Sequence, residues 1–176
     1  MSAFALPISV IETERLILRG PSERDFDAVA AFAGSERARF VGGPYSRFEA
    51  WRGFIGILGH WVLRGFGVWI LEHRDSGATA GRTGMIFHDG WDEPELGWHI
   101  YDGFERQGLG RESAMAARAY AARHQGLDRV ISYIEPNNSR SRGLATRLGA
   151  KVERDGSLLG LPVQIWRHPS MQESAQ

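Results

Sequence analysis

The segment Gly108-Leu109-Gly110 is the first place where residue types and spacing suggest chemistry. It lies between a predicted strand and a predicted helix. The first turn of a helix has N–H groups without intrahelical partners and the positive end of the helix dipole. Arg106 and Arg111 flank the segment and add positive charge. The pattern suits a phosphate or pyrophosphate site, but on the local sequence alone a glycine loop that only turns the chain is the better fit.

Two better-known phosphate-binding patterns do not fit this segment. The P-loop run GxxxxGK[ST] does not occur in the sequence. The dinucleotide fingerprint GxGxxG requires a third glycine where Ser113 stands. It also requires an acidic residue at the end of the next strand, whereas Asp128 precedes that strand. The sequence therefore disfavours both nucleotide-binding folds.

The elements that must position this loop follow from hydrophobic periodicity and from turn residues. Their predicted order is β-α-α-β-β-β-loop-α-β-α-β. The predicted strands are 15–19, 67–73, 80–87, 95–101, 129–134 and 162–167, and the predicted helices are 25–33, 48–63, 111–124 and 139–148. This order indicates a mixed α/β (α+β) domain with a largely antiparallel early sheet and a late βαβ unit.

Length and composition limit the remaining possibilities. The 176 residues predict one domain over 1–176, with a core of about 12–167 and a polar, flexible tail at 169–176. Lys plus Arg equals Asp plus Glu, so no global charge favours nucleic acid. Six His residues lack metal-binding spacing, and we expect no metal.

Cysteine is absent, which excludes disulfides and thiolate catalysis and fits a cytoplasmic location. The first ten residues lack the pattern of a signal peptide. No apolar stretch approaches 18 residues, so we expect no membrane segment.

Three segments resemble the GNAT superfamily of N-acetyltransferases. PELGWHIYDGFERQGLGRESAMAA, at 94–117, is similar to the family's core strand, [QR]xxGx[GA] loop and helix. IEPNNSRSRGLATRLGA, at 134–150, resembles the second core motif. TERLILRGPSERDFDAV, at 13–29, resembles the start of the branch of ribosomal-protein N-terminal acetyltransferases (RimJ/RimL-like). The resemblance covers about 12–167 and implies the GNAT fold, a twisted, largely antiparallel sheet flanked by helices.

The resemblance also implies how acetyl-coenzyme A, the cosubstrate, would bind. Its pyrophosphate would lie on backbone N–H groups of the loop, from Gln107 through Gly108, Leu109 and Gly110 to Arg111. Its pantetheine arm would pair with the backbone of Trp98, His99 and Ile100, where the fourth and fifth predicted strands splay apart. Asn138 matches the asparagine that contacts the arm, and Ser141 matches the small or serine position of the second motif.

Two positions depart from the family pattern. Glu105 stands where the loop motif has Gln or Arg, and we expect its carboxylate to point away from the diphosphate. The tyrosine that many relatives use as general acid would align near Ala145, so that role is open.

Acetylation of an amine requires a base, because amines with a pKa of about 8 to 10.4 arrive protonated. Glu95 matches the acid of the E-[LI]-G-[YW] strand, and burial beside tryptophans would raise its pKa toward neutrality. It is the first candidate base, and a surface carboxylate is the alternative. The other candidate bases are Glu93, Asp92 and His99.

The oxyanion requires a donor, which a splayed strand offers as a backbone N–H around Ile100. Ser141 is the candidate proton donor or thiol contact, with helix capping as its alternative, and Tyr101 and Tyr133 follow. Asn138 also suits the N-cap of the last helix.

The sequence thus predicts an N-acetyltransferase that acts on a primary amine in a ternary complex. The acceptor is a protein N-terminus, a small amine or an amine-bearing antibiotic, bound by the first helices and by 41–61. Only Glu49 is acidic within 42–52, which disfavours a polycation. The alternative is an inactive acyl-coenzyme A-binding module, and the resemblance leaves a homodimer open.

Overall fold

Four α-helices and eight β-strands form within residues 6–173, the part of the chain that the computed structural model describes. The helices are α1 Phe26–Ala33, α2 Arg47–Arg64, α3 Leu109–His124 and α4 Ser139–Arg147. The strands are β1 Ile11–Glu12, β2 Leu16–Arg19, β3 Val68–His73, β4 Thr79–Ile86, β5 Glu95–Ile100, β6 Ile131–Ile134, β7 Lys151–Leu158 and β8 Leu161–Arg167. Short 3-10 turns cover Glu23–Asp25 and Glu36–Val41.

The helix ends follow the capping residues in the sequence. Ser46 and Glu49 form a capping box at the start of α2, and Gly65 ends that helix in the left-handed conformation. Ser22 and Asp25 form the same box before α1. These caps satisfy N–H groups that have no partner inside the helix.

The strands form one sheet in the order β1-β2-β3-β4-β5-β6-β8-β7. All neighbours are antiparallel except β5 and β6, which are parallel and connected through α3. Glu95 and Ile131 form the single paired position between β5 and β6. The two strands then separate, which confirms the predicted mixed fold and the predicted splay.

Apolar clusters cover both faces of the sheet. On one face α3 packs on residues of β2 and β3, including Leu16, Leu18 and Trp69, all fully buried. On the other face α1 and α2 pack on Ile70 through Phe26 and Phe54. This second layer leaves space above the middle of the sheet, where the candidate site lies.

Two strands and part of the tail differ from the predictions. The missed strands are β1, which has two residues, and β7, whose sequence KVERDGSL is mostly exposed and gives no apolar alternation. The predicted flexible tail is anchored as far as 173, because the Pro169 carbonyl accepts from Arg118 and the Met171 N–H donates to Asp128. The remainder of that tail, 174–176, lies outside the described residues.

Within residues 6–173 no helix is both long and apolar enough to cross a membrane. In the same range no group of three or more His, Cys, Asp or Glu residues is placed to hold a metal ion.

Candidate active site

The backbone of β5 faces two different neighbours. The Leu96 carbonyl accepts from the Ser132 hydroxyl on β6 at 2.7 Å, whereas the Tyr101 N–H donates to the Ala80 carbonyl on β4 at 2.9 Å. Alternate residues of a strand direct both backbone groups to the same side. Trp98 and Ile100 therefore direct their N–H groups into the gap between β5 and β6, which we call the slot.

His99 differs from its two neighbours in this respect. It is the direct partner of Arg82 on β4, so its backbone faces β4 and not the slot. Its side chain stacks on Phe32 of α1, with ring centroids 4.7 Å apart. The predicted backbone set is thereby narrowed to Trp98 and Ile100, and the Ile100 carbonyl already accepts from Arg37 at 2.7 Å.

Side chains connect the two strands where their pairing ends. The Tyr133 N–H of β6 donates to Glu95 Oε2 at 2.9 Å, in place of a ladder partner on β5. Ser132 Oγ donates to the Leu96 carbonyl and accepts from His168 Nε2, at 2.9 Å, in the buried layer beneath. Glu95, Ser132 and His168 thus hold the mouth of the slot at a fixed width.

Glu95 is a buried carboxylate with one oxygen held by this N–H group. Burial raises its pKa to about 8, and the hydrogen bond from Tyr133 acts in the opposite direction. A group with a pKa near 8 exchanges protons readily near neutral pH, which suits a general base.

The loop before α3 presents backbone N–H groups. Arg106 and Gly108 have left-handed φ angles of 61° and 82°, and α3 begins at Leu109. Within residues 6–173 the N–H groups of 107–110 have no hydrogen-bond partner, whereas the Arg111 N–H donates to the Gly108 carbonyl. The set predicted for a pyrophosphate is thus narrowed to four N–H groups, and the exposed side chains of Arg106 and Arg111 flank them.

A lock from the N-terminal segment holds this loop. Arg15 Nη1 donates to the Gln107 carbonyl at 2.6 Å. Glu112 in the first turn of α3 accepts from the Thr13 hydroxyl at 2.6 Å and from the Arg15 N–H and Nε at 2.8 Å each. This lock was not predicted from the sequence, although both of its ends lie in segments that carry the family resemblance.

Glu105 folds back onto its own turn. One carboxylate oxygen accepts from the Gly103 N–H at 2.9 Å, and the other lies 2.9 Å from Arg37 and 3.9 Å from Arg140. Two arginines therefore balance the negative charge of Glu105, the residue that differs from the family's loop motif.

A cavity of about 350 Å³ opens beside the slot, and we call it the slot cavity. Its lining brings together five of the predicted site residues, Glu95, Trp98, His99, Asn138 and Ser141. The tip of the β7–β8 hairpin covers one side through 158–163. The loop residues 106–111 lie outside this lining.

Asn138 has both of the roles considered from the sequence within reach, whereas Ser141 is not the residue that caps α4. Asn138 Oδ1 accepts from the Ser141 N–H at 3.1 Å and caps α4. Both residues also line the slot cavity. Ala145, one turn later, is fully buried against Trp166, so no side chain reaches the cavity from that position.

Comparison with known proteins identifies the arrangement. Residues 15–151 match the family model described as an acetyltransferase (GNAT) domain. The chain belongs to the GNAT acetyltransferase family. Its members are acetyl-coenzyme A-dependent acyltransferases, and this GNAT chain is therefore an acyltransferase.

Three relatives show how far the likeness extends. An acetyltransferase structure from Agrobacterium tumefaciens str. C58 has 30% identity and a TM-score of 0.85, over 96% of this chain and 98% of its own. Uncharacterized N-acetyltransferase YoaA of Bacillus subtilis (strain 168) is 27% identical over 153 residues, 82% of this chain and 84% of YoaA. The RimL ribosomal L7/L12 alpha-N-protein acetyltransferase, solved with coenzyme A, shares the fold at 18% identity and a TM-score of 0.76, over 92% and 98%.

A second cavity of about 430 Å³ lies on the α1–α2 face of the GNAT sheet, and we call it the helix cavity. Its walls come from α1, the turn Glu36–Val41 and α2. It shares Arg82 and His99 with the slot cavity. The first helices and 41–61 thus contribute to a cavity next to the slot, as expected from the sequence.

The other candidate bases are engaged elsewhere in the GNAT domain. Glu93 pairs with Arg167 at 2.6 Å, which holds its pKa below the usual range, and Asp92 pairs with Arg154 at 3.1 Å. His99 Nδ1 accepts from Arg82 Nε at 2.9 Å, and burial together with the Arg82 charge lowers its pKa well below the usual value.

Three tryptophans, Trp51, Trp61 and Trp91, divide between the core and the slot cavity. Trp51 packs on Phe26 and Phe54, and Trp61 packs on Trp69. Of the three, only Trp91 lines one of the two cavities, the slot cavity, where it contacts Tyr133 edge to face.

Proposed function

We propose that this GNAT protein transfers the acetyl group of acetyl-coenzyme A to a primary amine by direct attack in a ternary complex. The observation that carries the proposal is the position of Glu95. This buried carboxylate with a raised pKa lies at the mouth of the slot and lines the slot cavity. The chain has no cysteine to carry an acetyl-thioester intermediate, which supports direct transfer.

The residues present suit acetyl-coenzyme A. The four unpaired N–H groups at 107–110, with Arg106 and Arg111 beside them, would hold the pyrophosphate. The slot-facing N–H groups of Trp98 and Ile100 would bind the amide groups of the pantetheine arm, as a strand would. Asn138 would contact the same arm from the cap of α4.

Glu95 would accept the proton of the attacking amine, directly or through one water. A slot-facing N–H group, of Trp98 or Ile100, would donate to the carbonyl oxygen as negative charge develops there. Ser141 would donate to the departing sulfur, and Tyr133 and Tyr101, whose hydroxyl-bearing side chains also line the cavities, are the alternative donors. The amine would enter from the helix cavity.

The proposal also covers the acceptor and the oligomeric state, in less detail. The RimL relative's name states a ribosomal protein N-terminus as its acceptor. A protein N-terminus and a small amine are both retained for this chain, as are the RimJ/RimL-like branch, a cytoplasmic location and a homodimer.

Calorimetric titration with acetyl-coenzyme A, with NADH as the control ligand, tests the proposal first. We expect micromolar binding of acetyl-coenzyme A alone, followed by release of free thiol when amines or peptides are added. Binding without thiol release from any amine would favour the alternative of an inactive acyl-coenzyme A-binding module. No binding would contradict both.

A further inference from the structure

Arg82 is a charged side chain in the middle of the sheet, with no charged partner among the described residues 6–173. It lies on β4 between Ile70 of β3 and His99 of β5, on the face covered by α1 and α2. Its Nε donates to His99 Nδ1 at 2.9 Å, and it lines both cavities. Within residues 6–173 no carboxylate lies at ion-pair distance from this guanidinium.

Other arginines of limited exposure are paired differently. Arg19, with 15% side-chain exposure, binds Asp25 and Glu72, and Arg167, with 23%, binds Glu93 and Glu153. A partly buried charge without a partner is costly to desolvate. The half-buried Arg82 guanidinium is therefore placed for an anionic group that comes from outside the chain.

A second polar group faces the same space. Tyr101 is 4% exposed, lines the helix cavity and has a hydroxyl without a hydrogen-bond partner in the described part of the chain. Tyr101 follows β5 two residues after His99, which places it diagonal to Arg82 on the same face. A buried hydroxyl of this kind normally has a partner, and a ligand oxygen would supply one.

The rest of the helix cavity has little charge to compete for Arg82. Its walls include Val29, Phe32 and Ile57. Glu49 is the one carboxylate of that lining, and it accepts from the N–H and hydroxyl of Ser46 in the capping box of α2. An apolar body with one anionic group matches this lining.

Two glycines lie between Arg82 and Glu95, and the side chain of Ile86 reaches over one of them, Gly97. Gly84 of β4 is the direct partner of Gly97 of β5, between the pairs Arg82–His99 and Ile86–Glu95. Glu95 and His99 are four residues apart, or about 13 Å along a strand. Arg82 and Glu95 both line the slot cavity, so the amine and the anionic group of one small acceptor have separate partners there.

We propose that the acceptor is an amine that also carries a carboxylate, such as an amino acid with an apolar body, and that Arg82 and Tyr101 bind this carboxylate. Arg82 can hold a carboxylate through two parallel N–H bonds, and the Tyr101 hydroxyl can donate a third hydrogen bond. The inference depends on the proposed acetyl transfer for the identity of the ligand as an acceptor.

The test compares α-amino acids and ω-amino acids of apolar body, each with its own neutral carboxamide, by thiol release. We expect at least one acid to exceed its carboxamide by about 100-fold in kcat/KM, since a paired charge is lost in the carboxamide. Arg82→Gln should lower this acid-to-amide ratio about 30-fold, Arg82→Lys should restore part of it, and Tyr101→Phe should lower it about fivefold. Arg52→Gln, on the exposed side of α2, should keep the wild-type ratio.

A binding measurement separates this inference from the proposed function. N-acetyl-phenylalanine and N-acetyl-phenylalaninamide are titrated into wild type and Arg82→Gln, together with coenzyme A as a test of folding. Tighter binding of the acid that is lost in Arg82→Gln supports the site without turnover. Thiol release with neutral amines or peptides, and no preference for any acid, would overturn the inference and leave acetyl transfer intact. Absence of turnover with every amine would instead contradict the proposed function.

Discussion

The slot and the helix cavity both use strand β5 but rely on different groups. The slot presents backbone groups, the N–H groups of Trp98 and Ile100, and the loop before α3 adds the N–H groups of 107–110. The helix cavity is defined by side chains of α1, α2, β4 and β5, among them Arg82 and Tyr101. A backbone site can bind the same ligand with many different side chains, whereas a side-chain site changes its ligand with each substitution. We therefore expect the slot to bind the cosubstrate that the family shares, and the helix cavity to determine which acceptor this protein uses.

Glu95 lies at the mouth of the slot and lines the slot cavity, and its replacement should give the largest effect. Glu95→Gln keeps an acceptor for the Tyr133 N–H but removes the base, so we expect kcat to fall by about 100- to 1000-fold. Acetyl-coenzyme A affinity, measured by calorimetry, should change less than about threefold, because the slot backbone is untouched. Unchanged turnover would remove Glu95 from the mechanism.

Stability gives a matched control for this variant. Burial raises the Glu95 pKa to about 8, so the stability that its protonated form contributes is lost as pH rises from about 4.5 to about 8. Glu95→Gln avoids this loss and should be more stable at pH 8, on the order of 3 kcal/mol, in thermal or denaturant unfolding. Glu93→Gln should instead lower the free energy of unfolding, because it weakens the pair with Arg167. We expect its turnover to be nearly unchanged.

The pH dependence of turnover sharpens the same point. Because Glu95 must be deprotonated to act, the wild-type rate should rise about tenfold per pH unit below pH 8 and level off above it. Ionisation of the acceptor amine adds a second limb that is common to wild type and Glu95→Gln. The ratio of the two rates should therefore isolate the Glu95 titration, and a ratio independent of pH between 6 and 9 would speak against the assignment.

The lock on the loop should give a smaller effect, confined to the slot. Glu112→Gln weakens the contacts to Thr13 and Arg15 that hold the loop carbonyl of Gln107. We expect a loss of about tenfold in coenzyme A affinity and about 1 to 3 kcal/mol in the free energy of unfolding. The exposed Glu14→Gln should change stability by less than about 0.5 kcal/mol. Equal affinity in both variants would show that the lock does not shape the loop.

Most of the fold was predictable because its signals are local. The strand Val68–His73 and the helix Arg47–Arg64 each differ from their predicted bounds by one residue at each end or less. The splay of β5 and β6 came from the family resemblance and is confirmed by the single pair Glu95–Ile131. Strand β7 was missed because its exposed residues KVERDGSL carry no alternation, and pairing with β8 decides its conformation.

The site was predictable where it is contiguous and missed where it is not. Glu95 and the glycine loop stand in one stretch of sequence, so a motif is enough to find them. Ser132 and His168 join β5 from positions 36 residues or more away, and Arg15 reaches the loop across 92 residues. Arg82 belongs to no sequence motif. What distinguishes it is that no carboxylate among residues 6–173 lies at ion-pair distance, and the sequence does not show this.

The single pair that joins β5 to β6 also has a mechanical consequence. The hydrogen-bonded sheet therefore has two parts, β1–β5 and β6–β8. They are joined by the one paired position between β5 and β6 and by the three side chains at the mouth of the slot. A ligand whose amide groups fill the slot would act as an extra strand and would connect the two parts of the sheet. Hydrogen exchange in β6 and β8 would then report on occupancy of the slot, although neither strand contributes to the loop that holds the phosphates.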